Sequence, residues 1–198
     1  MRIGVFGGTF DPPHVGHLIL AEECQTQLKL DKLLWVVTNQ PPHKQDMVIS
    51  PVEKRVELVL KSIAGNSKFE LSRVDIDRPG PHYAVDTVLL LKKQFPEAEL
   101  FYLMGGDSLH DLPTWYQPQK FLIGCDGLGV MRRHDDNVNL ETLEALLPGI
   151  KEKVHLVEAP ILEISSHQIR ERIRGGEGYR YYLPEAVYRV LDQLNLYR

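Results

Sequence analysis

Two histidines three residues apart, His14 and His17, lie in the stretch "GGTFDPPHVGH" that directly follows the first apolar run of the chain. On the first turn of a helix, side chains at this spacing share a face and reach the same point. Ahead of them Gly7 and Gly8 let the backbone turn sharply and turn N–H groups toward phosphate oxygens, with Thr9 and Phe10 continuing the loop. The loop feeds a helix N-terminus, whose unpaired amides and dipole favour an anion. The combination suits a polyphosphate. It lacks the G-x-G-x-x-G spacing of a dinucleotide site and the Gly-Lys-Ser/Thr of a P-loop. Two histidines at this spacing can also ligate a metal, but no third strong ligand is near in sequence.

A second anion grip is written in "ISSHQIRERI". Strand-like Ile161–Ile164 leads into Ser165 and Ser166, which can cap a helix, and Arg170 follows one turn later. Hydroxyls, helix-start amides and a guanidinium then converge on one point. Further along the chain, Lys44 ends "PPHK" and can reach a phosphate as a mobile point charge. Asp107 follows Gly105-Gly106, Trp115 and Tyr116 sit in "LPTWY", and Arg132 and Arg133 end an apolar run.

These residues need elements to hold them. Arg2 to Phe6 reads as a short buried strand and Val15 to Leu30 as a helix. "LLWVV" from Leu33 is a continuous apolar run suited to a strand buried on both faces. Ser50 can cap the next helix, with Pro51 in its first position and Glu53 completing a capping box; Gly65 serves as its stop. Then come a strand from Phe69, a helix from Tyr83 closed by Pro96, and strands from Leu100, Asp126 and Val154. This alternation predicts an α/β fold, a doubly wound parallel sheet whose ligands bind beyond the carboxyl ends of the strands. After Ile164 the chain turns helical, and residues 165–198 read as a helical segment of the same single domain, 1–198.

Composition narrows the function classes. With 198 residues, 43% hydrophobic and 25% charged, the chain can bury one core. A net charge of −4 argues against a broad nucleic-acid footprint. Two cysteines without C-x-x-C spacing argue against a disulfide framework and fit a reducing cytoplasm. The first apolar run stops too early for a signal peptide, and no apolar segment is long enough to span a bilayer.

Five segments in register, "GGTFDPPHVGH", "NQPPHK", "YAVDT", "GGDSLHDLPTWY" and "ISSHQIRERI", resemble the bacterial nicotinic acid mononucleotide adenylyltransferases of the H-x-G-H nucleotidyltransferase superfamily. The likeness runs from Ile3 to the terminal "LNLYR". It implies transfer of the adenylyl group of ATP to nicotinate mononucleotide, giving deamido-NAD and pyrophosphate, a step of NAD biosynthesis. On this resemblance His14 and His17 are catalytic and contact the ATP phosphates. Gly7, Gly8, Thr9, Phe10, Ser165, Ser166 and Arg170 bind ATP. Lys44, Tyr83, Thr87, Asp107, Trp115, Tyr116 and Arg132 serve the mononucleotide, with Trp115 offering a stacking face and nearby amides holding the nicotinate carboxylate. Magnesium arrives with ATP rather than at a protein metal site. Partners are these small molecules, with no nucleic acid and no membrane, and a homo-oligomer is left open.

The chain departs from the family pattern twice: His167 stands where Thr is common, and Ala84 replaces the Thr that often follows the tyrosine of "YAVDT". Rival readings are a sibling transferase acting on phosphopantetheine, an alcohol phosphate or nicotinamide mononucleotide, and a non-catalytic nucleotide sensor. A tRNA synthetase fragment is disfavoured by length, charge and the absence of a K-M-S-K-S-like loop.

Overall fold

The computed structural model describes residues 1–40, 49–131, 139–160 and 162–198. Six strands form one sheet: β1 (Arg2–Gly8), β2 (Lys32–Val37), β3 (Phe69–Ser72), β4 (Glu99–Gly105), β5 (Gly127–Met131) and β6 (Val154–Val157). All pairings are parallel, in the order β3-β2-β1-β4-β5-β6. Parallel neighbours need crossovers, and helices supply them: α1 (Val15–Gln27), α2 (Val52–Ile63), α3 (Ala84–Gln94), α4 (Gly106–Asp111), α5 (Pro118–Gly124), α6 (Leu140–Leu146) and α7 (Ile150–Lys153). The chain closes with α8 (Ser166–Arg174) and α9 (Glu185–Leu194). The strand order reverses between β1 and β4, so a crevice opens beyond the carboxyl ends of those two strands.

Each face of the sheet carries its own core. Trp35, Leu33 and Phe101 pack with Leu20, Ala21 and Cys24 of α1 and Val56, Val59 and Ile63 of α2. On the opposite face Val5, Leu34 and Leu100 pack with Val88 and Leu91 of α3 and Phe121 of α5. A third cluster joins Leu58, on another side of α2, to Ile169 and Ile173 of α8 and Val187, Val190 and Leu191 of α9. Helix α2 is thus gripped by the sheet on one side and by the C-terminal helices on the other.

Several sequence expectations shift. Helix α1 ends at Gln27, not Leu30, because Lys29 takes a left-handed conformation (φ 52). Pro51, not Ser50, is the cap residue of α2, and no side-chain cap bond forms there. The stop near Gly65 holds: α2 ends at Ile63, Ala64 is its C-cap and Gly65 follows directly, though without the left-handed conformation. Gly7 and Gly8 do not make a turn, since both still belong to β1, opposite Val36 and Val37. They are glycines for lack of room. A Cβ on Gly7 would come within 2.6 Å of the Tyr102 hydroxyl, and one on Gly8 within 2.9 Å of the Phe10 ring. The turn comes instead at Phe10, with φ of 49. Residues 162–164 form no strand, and Ile161 lies outside the described residues. The Ser165 cap holds: its hydroxyl accepts from the Gln168 amide at 3.2 Å, and Gln168 answers by accepting from the Ser165 amide at 3.0 Å.

Candidate active site

The loop after β1 is built around Asp11 and Pro12. His14 caps α1, its amide donating to His17 Nδ1 at 3.2 Å, and the two imidazoles stack with centroids 3.7 Å apart. Gly16 makes this possible, because a Cβ there would press on the His14 ring at 3.1 Å. His17, half-buried, also lies edge-on to Phe10 at 5.1 Å and beside Phe6 at 5.9 Å. Phe10 is only 2% exposed, so its ring is a core support for His17, and any contact with ATP falls to its backbone.

The two histidines are not equivalent. Burial pulls His14 down to about 4, so at neutral pH it is an uncharged hydrogen-bonding group. Its ring folds over the start of α1 in a capping box with His17. The Nε of Arg170 is buried without a hydrogen-bond partner among the described residues.

The C-terminal motif reaches this loop as expected, though by backbone contacts. Arg170 Nη1 donates to the Asp11 carbonyl at 2.7 Å, and the Ser166 hydroxyl donates to the Pro12 carbonyl at 2.8 Å. Ser165 spends its hydroxyl on the α8 cap. His167 turns along the exposed side of α8, its Nε2 3.2 Å from Glu171 Oε1, and takes no part in the cluster.

Beside the cluster lies a cleft of about 1010 Å³, open at the carboxyl ends of β1 and β4. Gly7, Gly8, Thr9, Tyr83, Thr87, Trp115 and Tyr116 all line it, as does Ala84. Asp107 does not: it is exposed on α4, while its neighbours Gly105 and Ser108 face the cleft. Lys44 and Arg132 fall outside the described residues.

Two details change the expected roles in the cleft. Thr87 Oγ1 donates to Asp75 Oδ1 at 2.7 Å, so its proton is committed, and Asp75 is in turn held by Arg78 at 2.9 Å. Asp75 and Thr87 are both buried. The Trp115 amide donates to the Leu112 carbonyl at 3.1 Å, leaving the Tyr116 amide as the donor available to a carboxylate. Trp115 stands edge-on to Tyr102, whereas Tyr83 and Tyr116 stack on each other at 4.2 Å.

Sequence reasoning missed Arg55, Asp75, Arg78 and His82. Arg55 was findable: it interrupts the apolar face Val52, Val56, Val59, Ile63, where a charge must be fully partnered. His82 is buried and ties two cleft loops together, accepting from the Gln40 amide at 3.1 Å through Nδ1 and reaching the Arg78 carbonyl at 3.2 Å through Nε2. Nothing in its local sequence marks that pairing, which spans 42 residues.

Comparison with known proteins identifies the family. The cytidylyltransferase-like family model matches residues 5–172. A relative from Thermomicrobium roseum, named probable nicotinate-nucleotide adenylyltransferase, is 42% identical over all of this chain and 92% of its own length. One of the same name from Dehalococcoides mccartyi is 36% identical, over all of this chain and 97% of its own length. Among solved structures, the Plasmodium falciparum nicotinic acid mononucleotide adenylyltransferase complexed with NaAD superposes with a TM-score of 0.82 at 18% identity, covering 99% of this chain and 97% of that one. Such identity speaks for the fold alone. Family model, relatives and site geometry together establish that the chain belongs to the nicotinate-nucleotide adenylyltransferases of the cytidylyltransferase-like family.

Proposed function

We propose that the chain joins the phosphate of nicotinate mononucleotide to the α-phosphate of ATP, giving deamido-NAD and pyrophosphate. The observation that carries this reading is the meeting of the two anion motifs beside the cleft: the stacked His14 and His17, and Arg170 and Ser166 of α8 on the Asp11 and Pro12 carbonyls of the same loop. In the reaction a phosphate oxygen of the mononucleotide attacks the α-phosphorus, and the bond to the pyrophosphate oxygen breaks. The attacking oxygen is already anionic, so no side-chain nucleophile and no general base are required. Catalysis is then positioning and charge stabilisation.

The roles divide by electrostatics. His14 is neutral at working pH and serves as a hydrogen-bonding group toward the phosphates. His17, more exposed and stacked on it, takes the larger share of the developing charge. Arg170 and Ser166, beside the Asp11–Pro12 backbone, grip the leaving pyrophosphate. Magnesium comes with ATP and is ligated by phosphate oxygens. Among the described residues no three His, Cys, Asp or Glu side chains are grouped to hold an ion of their own. The mononucleotide occupies the cleft, its ring between Trp115, Tyr83 and Tyr116 and its carboxylate at the Tyr116 amide, with Asp107 on the ribose side and Lys44 and Arg132 on its phosphate. Residues 165–198 belong to the same functional unit, a reading supported by the packing of α8 and α9 on Leu58. A cytoplasmic location fits two buried cysteines that remain unpaired, and no described helix is long and apolar enough to cross a membrane.

The direct test incubates the protein with ATP, magnesium and, separately, nicotinate mononucleotide, nicotinamide mononucleotide and phosphopantetheine, and measures pyrophosphate. Release with nicotinate mononucleotide at the highest kcat/KM is expected. A clear preference for phosphopantetheine overturns the assignment.

A further inference from the structure

The ATP loop is not held by its own residues. Arg55 of α2, 1% exposed, directs its guanidinium at backbone carbonyls from three separate segments. Nη1 donates to Thr9 at 2.9 Å and to Thr38 at 2.8 Å, Nη2 to Asn39 at 3.1 Å, and Nε to Ser50 at 2.9 Å. Thr9 lies in the loop that leads to His14 and His17. Thr38 and Asn39 directly follow β2.

Burial of a guanidinium is costly, and here the cost falls on a charge with no salt-bridge partner in direct contact among the described residues. Burial pulls Arg55 below its usual range, opposed by the nearby Asp11 carboxylate. Asp11, 4% exposed, accepts from the Ser50 amide at 3.1 Å through Oδ2 and from the Tyr197 hydroxyl at 2.5 Å through Oδ1. The Asp11 carbonyl is the acceptor for Arg170. One residue of the loop is thereby bound from the α2 start, from α8 and from the segment after α9. Two different jobs are being done with arginine. Arg170 keeps an unpartnered nitrogen for a ligand, whereas Arg55 spends its donors on protein.

Resting on the substrate reading above, we propose that Arg55 is the positioning residue of the ATP site, and that Tyr197 locks the same loop through Asp11. Arg55 touches no substrate. It sets the height and direction of the Thr9–His17 segment, so that His14 and His17 meet the phosphates without rearrangement. A planar fork is required for this, because an ammonium cannot serve four carbonyls lying in different directions. Tyr197 adds a removable latch: its hydroxyl can be deleted without opening the core.

The test compares Tyr197→Phe and Arg55→Lys with the parent chain by steady-state kinetics in each substrate and by thermal unfolding. Tyr197→Phe should fold and raise the KM for ATP about threefold to tenfold, the scale of one lost hydrogen bond, with the KM for nicotinate mononucleotide within about twofold. Arg55→Lys should show the same asymmetry more strongly, with kcat lowered as well. A purely structural role would lower the melting temperature and the active fraction, reducing kcat while leaving both KM values unchanged. That result, or an equal rise in both KM values, overturns the proposal. If Arg55→Lys does not fold, Tyr197→Phe decides alone. Failure of the substrate reading shows separately, as a parent chain that releases no pyrophosphate with nicotinate mononucleotide. In that case, calorimetry with ATP and magnesium supplies the ATP affinity, and an unchanged affinity in Tyr197→Phe overturns the positioning role.

Discussion

The two ends of the site are built on opposite plans. At the proposed phosphate end the backbone from Thr9 to Pro12 is bound on several sides by Arg55, Ser166 and Arg170, and Arg170 Nε has no hydrogen-bond partner among the described residues. In the cleft the polar side chains satisfy one another, Thr87 with Asp75 and Asp75 with Arg78, and the tyrosines 83 and 116 stack together. The first end is preorganised, with its donors and acceptors waiting. On the proposed function, the second must exchange internal contacts for substrate contacts. Preorganisation favours charge stabilisation, which costs no reorganisation at the moment of reaction. Exchange favours discrimination, since a wrong ligand leaves buried groups unpaired. The contrast assigns rate to the loop and selectivity to the cleft.

The sharpest way to break that contrast is His17→Ala. Loss of one electrostatic stabiliser should lower kcat by about 10²–10³. The ring packs on Phe6, Phe10 and His14, so stability falls too, by about 1 kcal/mol, or a few degrees in melting temperature. Normal turnover in the folded variant would remove His17 from the mechanism.

Arg170→Lys comes next. It keeps the charge but loses the fork that holds Asp11 and leaves Nε for a ligand. kcat/KM for ATP should fall about tenfold to a hundredfold, the scale of one hydrogen bond between charged groups. Affinity for nicotinate mononucleotide should barely move. Equal losses in both substrates would mean that the two ends are not separable.

The neutral state of His14 gives a pH test. Its pKa is lowered from 6.5 to about 4 on folding, so between those values the unfolded chain binds more protons than the folded one. Stability from this group is complete above pH 6.5 and is lost as the pH falls toward 4. Between pH 7 and pH 5 the loss is about 2 kcal/mol. Urea unfolding at the two pH values should show it, and His14→Asn should flatten that part of the difference. A His14→Asn variant whose change in stability between the two pH values matches that of the parent would mean that His14 is not buried neutral.

The loop was more legible than the cleft, for a physical reason. Gly7, Gly8, His14, Gly16 and His17 are local in sequence, and the need for close packing is written in the glycines themselves. Even so, the reason for Gly7 and Gly8 was misread: they make room for Tyr102 and Phe10 instead of making a turn. The alternation of strands and helices exposed the sheet, because buried parallel strands are nearly uniform apolar runs. Short helices such as α4 and α5 carry too few turns for a period to show. The cleft is assembled from pairs far apart in the chain, Gln40 with His82 or Asp75 with Thr87, and no spacing rule joins them.

The finest test of the contrast is Ala84→Thr. Ala84 begins α3, directly after Tyr83, and lines the cleft. Thr87, one turn later on the same helix, cannot act as a donor to the nicotinate carboxylate while its proton goes to Asp75. The Trp115 amide is likewise taken by Leu112. On the proposed placement of the carboxylate, neither the Thr87 hydroxyl nor the Trp115 amide can donate to it, and the Tyr116 amide is left to tell acid from amide. A threonine at 84 would add a donor to a charged acceptor, worth about 1.5–3 kcal/mol when well formed. The ratio of kcat/KM for nicotinate mononucleotide over nicotinamide mononucleotide should rise about tenfold, with kcat on the preferred substrate nearly unchanged. Thermal unfolding must accompany the kinetics, because Ala84 packs against the core beneath the sheet. A stable variant whose ratio does not move would place the nicotinate carboxylate away from the start of α3, and selectivity would then have to be sought elsewhere in the cleft.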